Sequence, residues 1–240
     1  GSGDEHHVAQ LVKAIVTDKP MAHTLGEADR MVKACANAGV PLLCGATTTN
    51  HPSFAIARQL IRDGVIGNII SMDVNQVLAQ HQNWSYFLDS NPSWVIGVGG
   101  SPRRETGSDE FLGQGMMVTD EGLVVHFRHG ASQLRITGTG GEIVRGGSAE
   151  WTLSQDVKTS GRVSRVQVPW PKPVVGMYNR VVHGFSDLID CPEGRLDEPK
   201  NSGRRVAAAL EVEIGLNLST SLGSIRADLP LEDRSMGLNY

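Results

Sequence analysis

The residue with the clearest chemical potential is Lys19, in the run Asp18-Lys19-Pro20. It follows Ala14-Ile15-Val16-Thr17, which reads as a buried strand because it is apolar, partly β-branched and followed by a Pro-containing turn. An ammonium on the loop leaving such a strand can orient a hydroxyl, stabilise an alkoxide or relay a proton. The competing reading is a solvated loop lysine, the usual fate of Lys. Asp18 either holds Lys19 in place or caps a turn. Pro20 fixes the loop, and a cis Lys19–Pro20 bond is one of its two states.

Other side chains could join it. A neutral imidazole can accept a hydroxyl proton near pH 7, and His81 is the candidate. Asn75 and Gln76 lie on the first strand of the expected sheet, and one of them could line a pocket. Tyr178 and His183 share a helix and either reach a cleft or only pack that helix. His23 reads as a surface residue. His126 and His129, three apart on and beside a strand, point to opposite faces, which argues against a metal site. Cys35, Cys44 and Cys191 are odd in number and have no close pair, so they read as reduced thiols. Trp84, Trp94, Trp151 and Trp170 read as packing residues. Arg103-Arg104 and Arg204-Arg205 read as solvated faces.

The elements that must position these residues follow from pattern. The chain has 240 residues, 40% apolar and 20% charged, which supports a packed core. Aromatics at 5% weigh against a basic, base-stacking groove, and a net charge of −4 gives no bulk attraction to nucleic acid or anionic lipid. The apolar runs are too short to span a membrane. The first residues show neither the basic nor the apolar region of a signal peptide, so the expected location is the cytoplasm.

His6 to Lys13 reads as a short helix before the Ala14–Thr17 strand. Thr24-Leu25-Gly26-Glu27 is a capping box; Ala28, Met31, Val32 and Cys35 then form one helical face, and Gly39 marks its end. Pro41 to Gly45 reads as a second buried strand, and His51-Pro52 opens another helix that Gly64 ends. Beyond Gly67 the texture changes to strands: Ile69 to Val77, Trp94 to Val98, Met116 to Thr119, Leu123 to Arg128, Gln133 to Thr137, Glu142 to Arg145, Trp151 to Ser154 and Val163 to Val168. Helices are expected over Met177 to Ile189 and from Arg204 to about Leu218, the latter capped by Ser202. Asp197 to Gly203 reads as a polar connector between them, and Ile225 to Leu231 as a last strand. The expected organisation is an α/β piece over 1–48, then an α+β domain over 49–240 with one large, mostly antiparallel open sheet.

Four segments, in order, resemble the glucose-fructose oxidoreductase/inositol dehydrogenase (Gfo/Idh/MocA) family: Asp18-Lys19-Pro20-Met21-Ala22, similar to a Glu-Lys-Pro motif with Asp for Glu; Leu25 to Asp29 leading into Ala38 to Leu42; Ile61 to Ile69; and Leu134 to Ile143. The resemblance implies that residues 1–48 are the remnant of a Rossmann domain. It implies NAD or NADP as cofactor and hydride transfer between a sugar or polyol hydroxyl and the nicotinamide. Lys19 and His81 would be catalytic, with Asp18, Lys19 and Pro20 at the cofactor and Asn75, Gln76, Tyr178 and His183 at the substrate. The open sheet would pair subunits into a homodimer or homotetramer. Against the family pattern, no G-x-G-x-x-G lies between a strand and a helix, and the run Trp84-Ser85-Tyr86-Phe87-Leu88 resembles only the end of the family's catalytic helix. The alternative is a non-catalytic scaffold or oligomerisation module.

Overall fold

The computed structural model describes residues 12–45, 48–75, 84–99, 113–128, 132–147, 150–171 and 180–238. Strands β1 (Ile15–Thr17) and β2 (Leu42–Cys44) pair in parallel, with helix α1 (Leu25–Ala38) between them in the chain. The capping box forms: Thr24 Oγ1 accepts from Glu27 N at 3.3 Å, and the Glu27 carboxylate accepts from Thr24 N at 3.1 Å. Gly39 ends the helix at φ 63°, a conformation that favours glycine. The helix expected over His6 to Lys13 lies mostly outside the described residues. β1 differs from the expected buried strand, since Ile15 and Val16 are 39% and 48% exposed. The reason is that β2 is its only partner strand among the described residues.

A turn at Thr48–Asn50 leads into α2 (Pro52–Arg62), where His51 Nδ1 accepts from Ser53 N at 3.2 Å. The chain then enters a nine-stranded sheet of β3 (Ile69–Val74), β4 (Pro92–Val98), β5 (Gln114–Thr119), β6 (Val124–Phe127), β7 (Ser132–Gly138), β8 (Gly141–Gly146), β9 (Trp151–Thr159), β10 (Arg162–Val168) and β11 (Ala227–Asp228). Its order is β10-β9-β8-β7-β3-β6-β5-β4-β11, and every neighbouring pair is antiparallel except β3 with β6. Alternation sets the faces. Met72, Val95, Met117, Val125, Phe127, Leu134, Ile136 and Ile143 are buried on one face. The other carries ion pairs, including Arg135–Glu142 at 2.6 Å and Arg165–Asp156 at 2.7 Å. The last strand is shorter than the expected Ile225 to Leu231, and Leu229, whose N–H donates to Ser93 O at 2.7 Å, is followed by Pro230, which brings no ladder donor.

Helices α3 (Arg180–Asp190) and α4 (Gly203–Ser221) follow the sheet, and α4 joins the two sheets. Ser202 caps it, accepting from Arg205 N at 3.3 Å. At that end Leu43 bridges to Ser202, Cys44 N donates to Asn201 O at 2.9 Å, and Gly203 sits against Leu42. Along its length α4 lies on β4 and β5 so closely that a Cβ on Gly97 would occupy the space of the Leu216 carbonyl oxygen. Gly97 N donates to Ser219 Oγ at 2.9 Å. The C-terminal tail completes the junction. Arg234 pairs with Asp29 of α1 at 2.8 Å and also with Glu211 of α4, while Leu25 N and Gly26 N donate to the Met236 and Arg234 carbonyls.

Gly97→Ala is expected to destabilise the chain by about 1–3 kcal/mol, the usual range for overpacking, read as a lower urea midpoint. An unchanged midpoint would show that α4 lifts off β4 freely.

Candidate functional site

The carboxyl ends of β1 and β2 lie side by side, the edge at which open parallel layers bind ligands. Gly45 N donates to Thr17 O at 2.8 Å, and the Cys44 thiol reaches Asp18 O at 3.9 Å. A Cβ on Gly45 would press on the Asp18 carboxylate, so glycine permits this approach. Asp18 Oδ1 accepts from the N–H of the next residue, Lys19, at 2.7 Å, which ties the carboxylate to the loop. The Lys19–Pro20 bond is cis. Met21 and Ala22 then plunge into the core, leaving Lys19 exposed at the crest. Among the described residues no carboxylate pairs with its ammonium.

Past β2 the chain builds a buried polar seam. Thr49 Oγ1 donates to Asn201 Oδ1, and Asn201 Nδ2 donates to Asn50 Oδ1 at 3.3 Å. Helix α3 packs here through Gly184, where a Cβ would crowd the Asn50 amide and Leu43. Asp187, one turn along α3, is 2% exposed and takes both Lys200 N, at 2.9 Å, and the Lys200 ammonium. Beside it, the Tyr86 ring lies beneath two guanidinium groups, Arg58 at 4.9 Å and Arg205 at 5.7 Å. Burial pushes the Tyr86 phenol up, against the pull of Arg58. Arg205 is held by Glu198 and by the Ser85 carbonyl at 3.2 Å; burial still draws it below the ordinary guanidinium range. Burial raises Glu198, but hydrogen bonds from Arg204 and Ser202 outweigh this and hold it low.

No protein-family model matches the chain. It is 29% identical over 109 residues to YteT of Bacillus subtilis, which is named as an oxidoreductase, and 41% identical over 59 residues to D-apiose dehydrogenase of Paraburkholderia graminis. These stretches cover 43% and 25% of the chain but only 26% and 16% of the relatives, so the chain matches about a quarter or less of their length. Among solved structures, levoglucosan dehydrogenase in complex with NADH superposes with a TM-score of 0.68 at 17% identity, over 93% of this chain and 75% of that one. Aldose-aldose oxidoreductase of Caulobacter crescentus gives 0.66 at 16%, over 92% and 74%. The WlbA dehydrogenase of Bordetella pertussis gives 0.61 at 19%, over 94% and 74%. The chain has the fold of the Gfo/Idh/MocA oxidoreductases.

Within this Gfo/Idh/MocA fold, the sequence candidates separate. Asp18, Lys19 and Pro20 stand together at the end of β1. His183 is half-buried on α3, next to the Gly184 that seats against Asn50. Asn75 is half-buried just past β3, where its N–H donates to Gln133 O at 3.2 Å. Gln76, His81 and Tyr178 lie outside the described residues, as do His129 and Arg103-Arg104. His23 is exposed, and no group of metal-ligating side chains occurs among the described residues. The solvated-face reading fails for Arg205, which is 4% exposed, because α4 is surrounded on nearly every side. The polar connector is likewise buried at Pro199, Asn201 and Ser202. The missed signal was that both stretches abut the end of β2, where buried polar groups must find one another.

A cavity of about 700 Å³ opens at the opposite end of the strands, between Val12, Lys13, Gly39, Pro41, Cys35 and Cys191. It flanks the amino ends of β1 and β2, so it is not the Lys19 site. Burial and the carboxylates of Asp187 and Asp190 push the Cys191 thiol up to about 11.

Two outcomes follow. Cys191 should react with iodoacetamide at pH 8 about 100-fold more slowly than an ordinary thiol of pKa about 8.5, because the thiolate is the nucleophile; labelling at the free-thiol rate would contradict the burial. The folded-state pKa of Glu198 lies below its unfolded value of about 4.3, so its contribution to stability is present above that pH and lost as pH falls through the folded value. Glu198→Gln should therefore lower Tm at pH 7 and flatten the fall in Tm between pH 5 and pH 3, whereas parallel curves would show the carboxylate to be idle.

Proposed function

We propose that the chain belongs to an oxidoreductase that moves a hydride between a sugar- or polyol-type hydroxyl and NAD or NADP. The observation that carries this reading is the placement of a lysine ammonium, with no carboxylate partner among the described residues, at the carboxyl end of a parallel strand pair, in a fold shared with dehydrogenases. The residues present suit the nicotinamide end of such a cofactor: Asp18, Lys19 and Pro20 form the crest beside which it would lie. No glycine loop of the phosphate-cradling kind occurs in the sequence. Bound there, the nicotinamide supplies the hydride acceptor. The Lys19 ammonium donates to the substrate oxygen, orients it, and stabilises the negative charge that gathers as the C–H bond breaks. His81 receives the hydroxyl proton, and Asn75, Gln76, Tyr178 and His183 bind the remaining hydroxyls.

The reading extends to assembly and setting. Ile96, Met116, Val118, Val124 and Val144 are half-buried on the sheet face opposite the core, an apolar strip among ion pairs. A second copy covering that face gives a homodimer or homotetramer. The buried thiols of Cys35 and Cys44, neither of them in a disulfide, suit a reducing cytoplasm. We take the division between the α/β piece and the sheet domain to fall near residue 48. A second reading is a scaffold or oligomerisation module derived from such an enzyme.

Titration with NADH and NADPH, followed by tryptophan fluorescence, should give saturable quenching below millimolar concentration. With a panel of sugars and polyols, Lys19→Met should lower turnover by about 100-fold or more and leave nucleotide binding within a few-fold. Absence of quenching by either nucleotide favours the scaffold. Quenching with undiminished turnover in Lys19→Met removes the lysine from the chemistry.

A further inference from the structure

The two edges of the nine-stranded sheet are finished differently. One ends in β11, only two residues long, flanked by the Arg226–Asp228 ion pair at 2.6 Å and by Pro230. These are the devices by which a sheet edge is kept from pairing with another chain. The other edge is β10, seven residues long, with no proline inside it and an unbroken register from Arg162↔Thr159 to Val168↔Leu153. Every residue from Arg162 to Gln167 is exposed, with Val163 at 65% and Val166 at 45%.

The strand is nevertheless firmly shaped. A two-residue turn joins β9 to β10, with Ser160 at φ 51° and Gly161 at φ 79°, the pair of left-handed residues that a tight hairpin requires. In such a hairpin the closing pair Thr159/Arg162 exchanges hydrogen bonds, and bonded and non-bonded pairs then alternate. The N–H and C=O groups of Val163, Arg165 and Gln167 therefore point away from β9, along the open edge. The one charge in mid-strand does not guard it. Arg165 is folded back over the sheet, bidentate to Asp156 at 2.7 and 2.9 Å and within 3.3 Å of Glu142.

We infer that β10 is an assembly edge, pairing antiparallel with β10 of a second copy about a twofold axis at Val166. Three axis positions keep outward-facing groups opposite one another: Ser164, Arg165 and Val166. An axis at Arg165 sets two guanidinium groups face to face, which is destabilising. An axis at Ser164 places the turn glycine, Gly161, opposite Gln167 and leaves Val168 unpaired. The axis at Val166 puts valine against valine in a close, non-bonded pair, Arg165 opposite Gln167 and Ser164 opposite Val168. It forms about six backbone hydrogen bonds and stops at Pro169, which has no donor to offer. This edge contact uses none of the apolar strip of Ile96, Met116, Val118, Val124 and Val144, and it stands or falls apart from the oxidoreductase reading.

Three variants, made in a Cys191→Ser background of the full chain, test the inference. Val166→Cys should yield a disulfide-linked pair as the main species on a non-reducing gel after mild oxidation, since the close pair has the Cα separation a disulfide needs. Ser164→Cys should not. Gln167→Pro removes one outward N–H without touching the β9 ladder, and should halve the mass seen by light scattering while keeping the circular dichroism of the parent. A cross-link through Ser164→Cys in preference to Val166→Cys overturns the inference, as does the absence of any cross-link together with an unchanged mass for Gln167→Pro.

Discussion

The close approach of α4 to β4 and β5 is the contact on which the rest depends. Backbone meets backbone there because Gly97 and Gly115 offer no side chain on the face that receives Leu216, and Gly215 returns the favour toward Val95. A helix seated this deeply has little solvent-facing surface, and eleven of its nineteen residues are buried. Its first turn is clamped to the end of β2 through Asn201, Ser202 and Gly203, so one rigid rod sets where the carboxyl ends of β1 and β2 lie relative to the large sheet. The Lys19 crest inherits its position from that rod.

Such a rod brings polar groups inside, and the structure meets their needs locally. Thr49, Asn50 and Asn201 satisfy one another; Asp187 takes Lys200; Glu198 takes Arg205. Removing one member of such a set leaves a buried group unpaired, which costs more than the bond itself contributes. That asymmetry makes the seam a device for fixing geometry.

Local chemistry was readable wherever one short stretch determined it. The capping box at Thr24, the left-handed stop at Gly39, the Ser202 cap and most of the sheet strands are decided by neighbours within a few residues. The resemblance carried by Asp18-Lys19-Pro20 and the segments after it led to the right fold. What could not be read depends on partners far away in the chain. Arg205 looks like the twin of Arg204 in sequence, yet one is buried and the other exposed, because the environment of α4 is set by strands more than a hundred residues earlier. Ile15 and Val16 look like core and are half open, because strand pairing, not composition, decides what covers them. Of the candidate site, the lysine loop was legible; the seam around Asn50 and Asn201 was not, since its members are about 150 positions apart.

The fastening of the tail across α1 has one more effect. The positive end of a helix attracts phosphate through its free amide hydrogens. In α1 those hydrogens are already spoken for: Leu25 and Gly26 give theirs to tail carbonyls, and Glu27 gives its own to the Thr24 hydroxyl. The helix beside the lysine crest is thereby plugged by the protein's own main chain, and any diphosphate carried by a nucleotide must be gripped by a different set of amides.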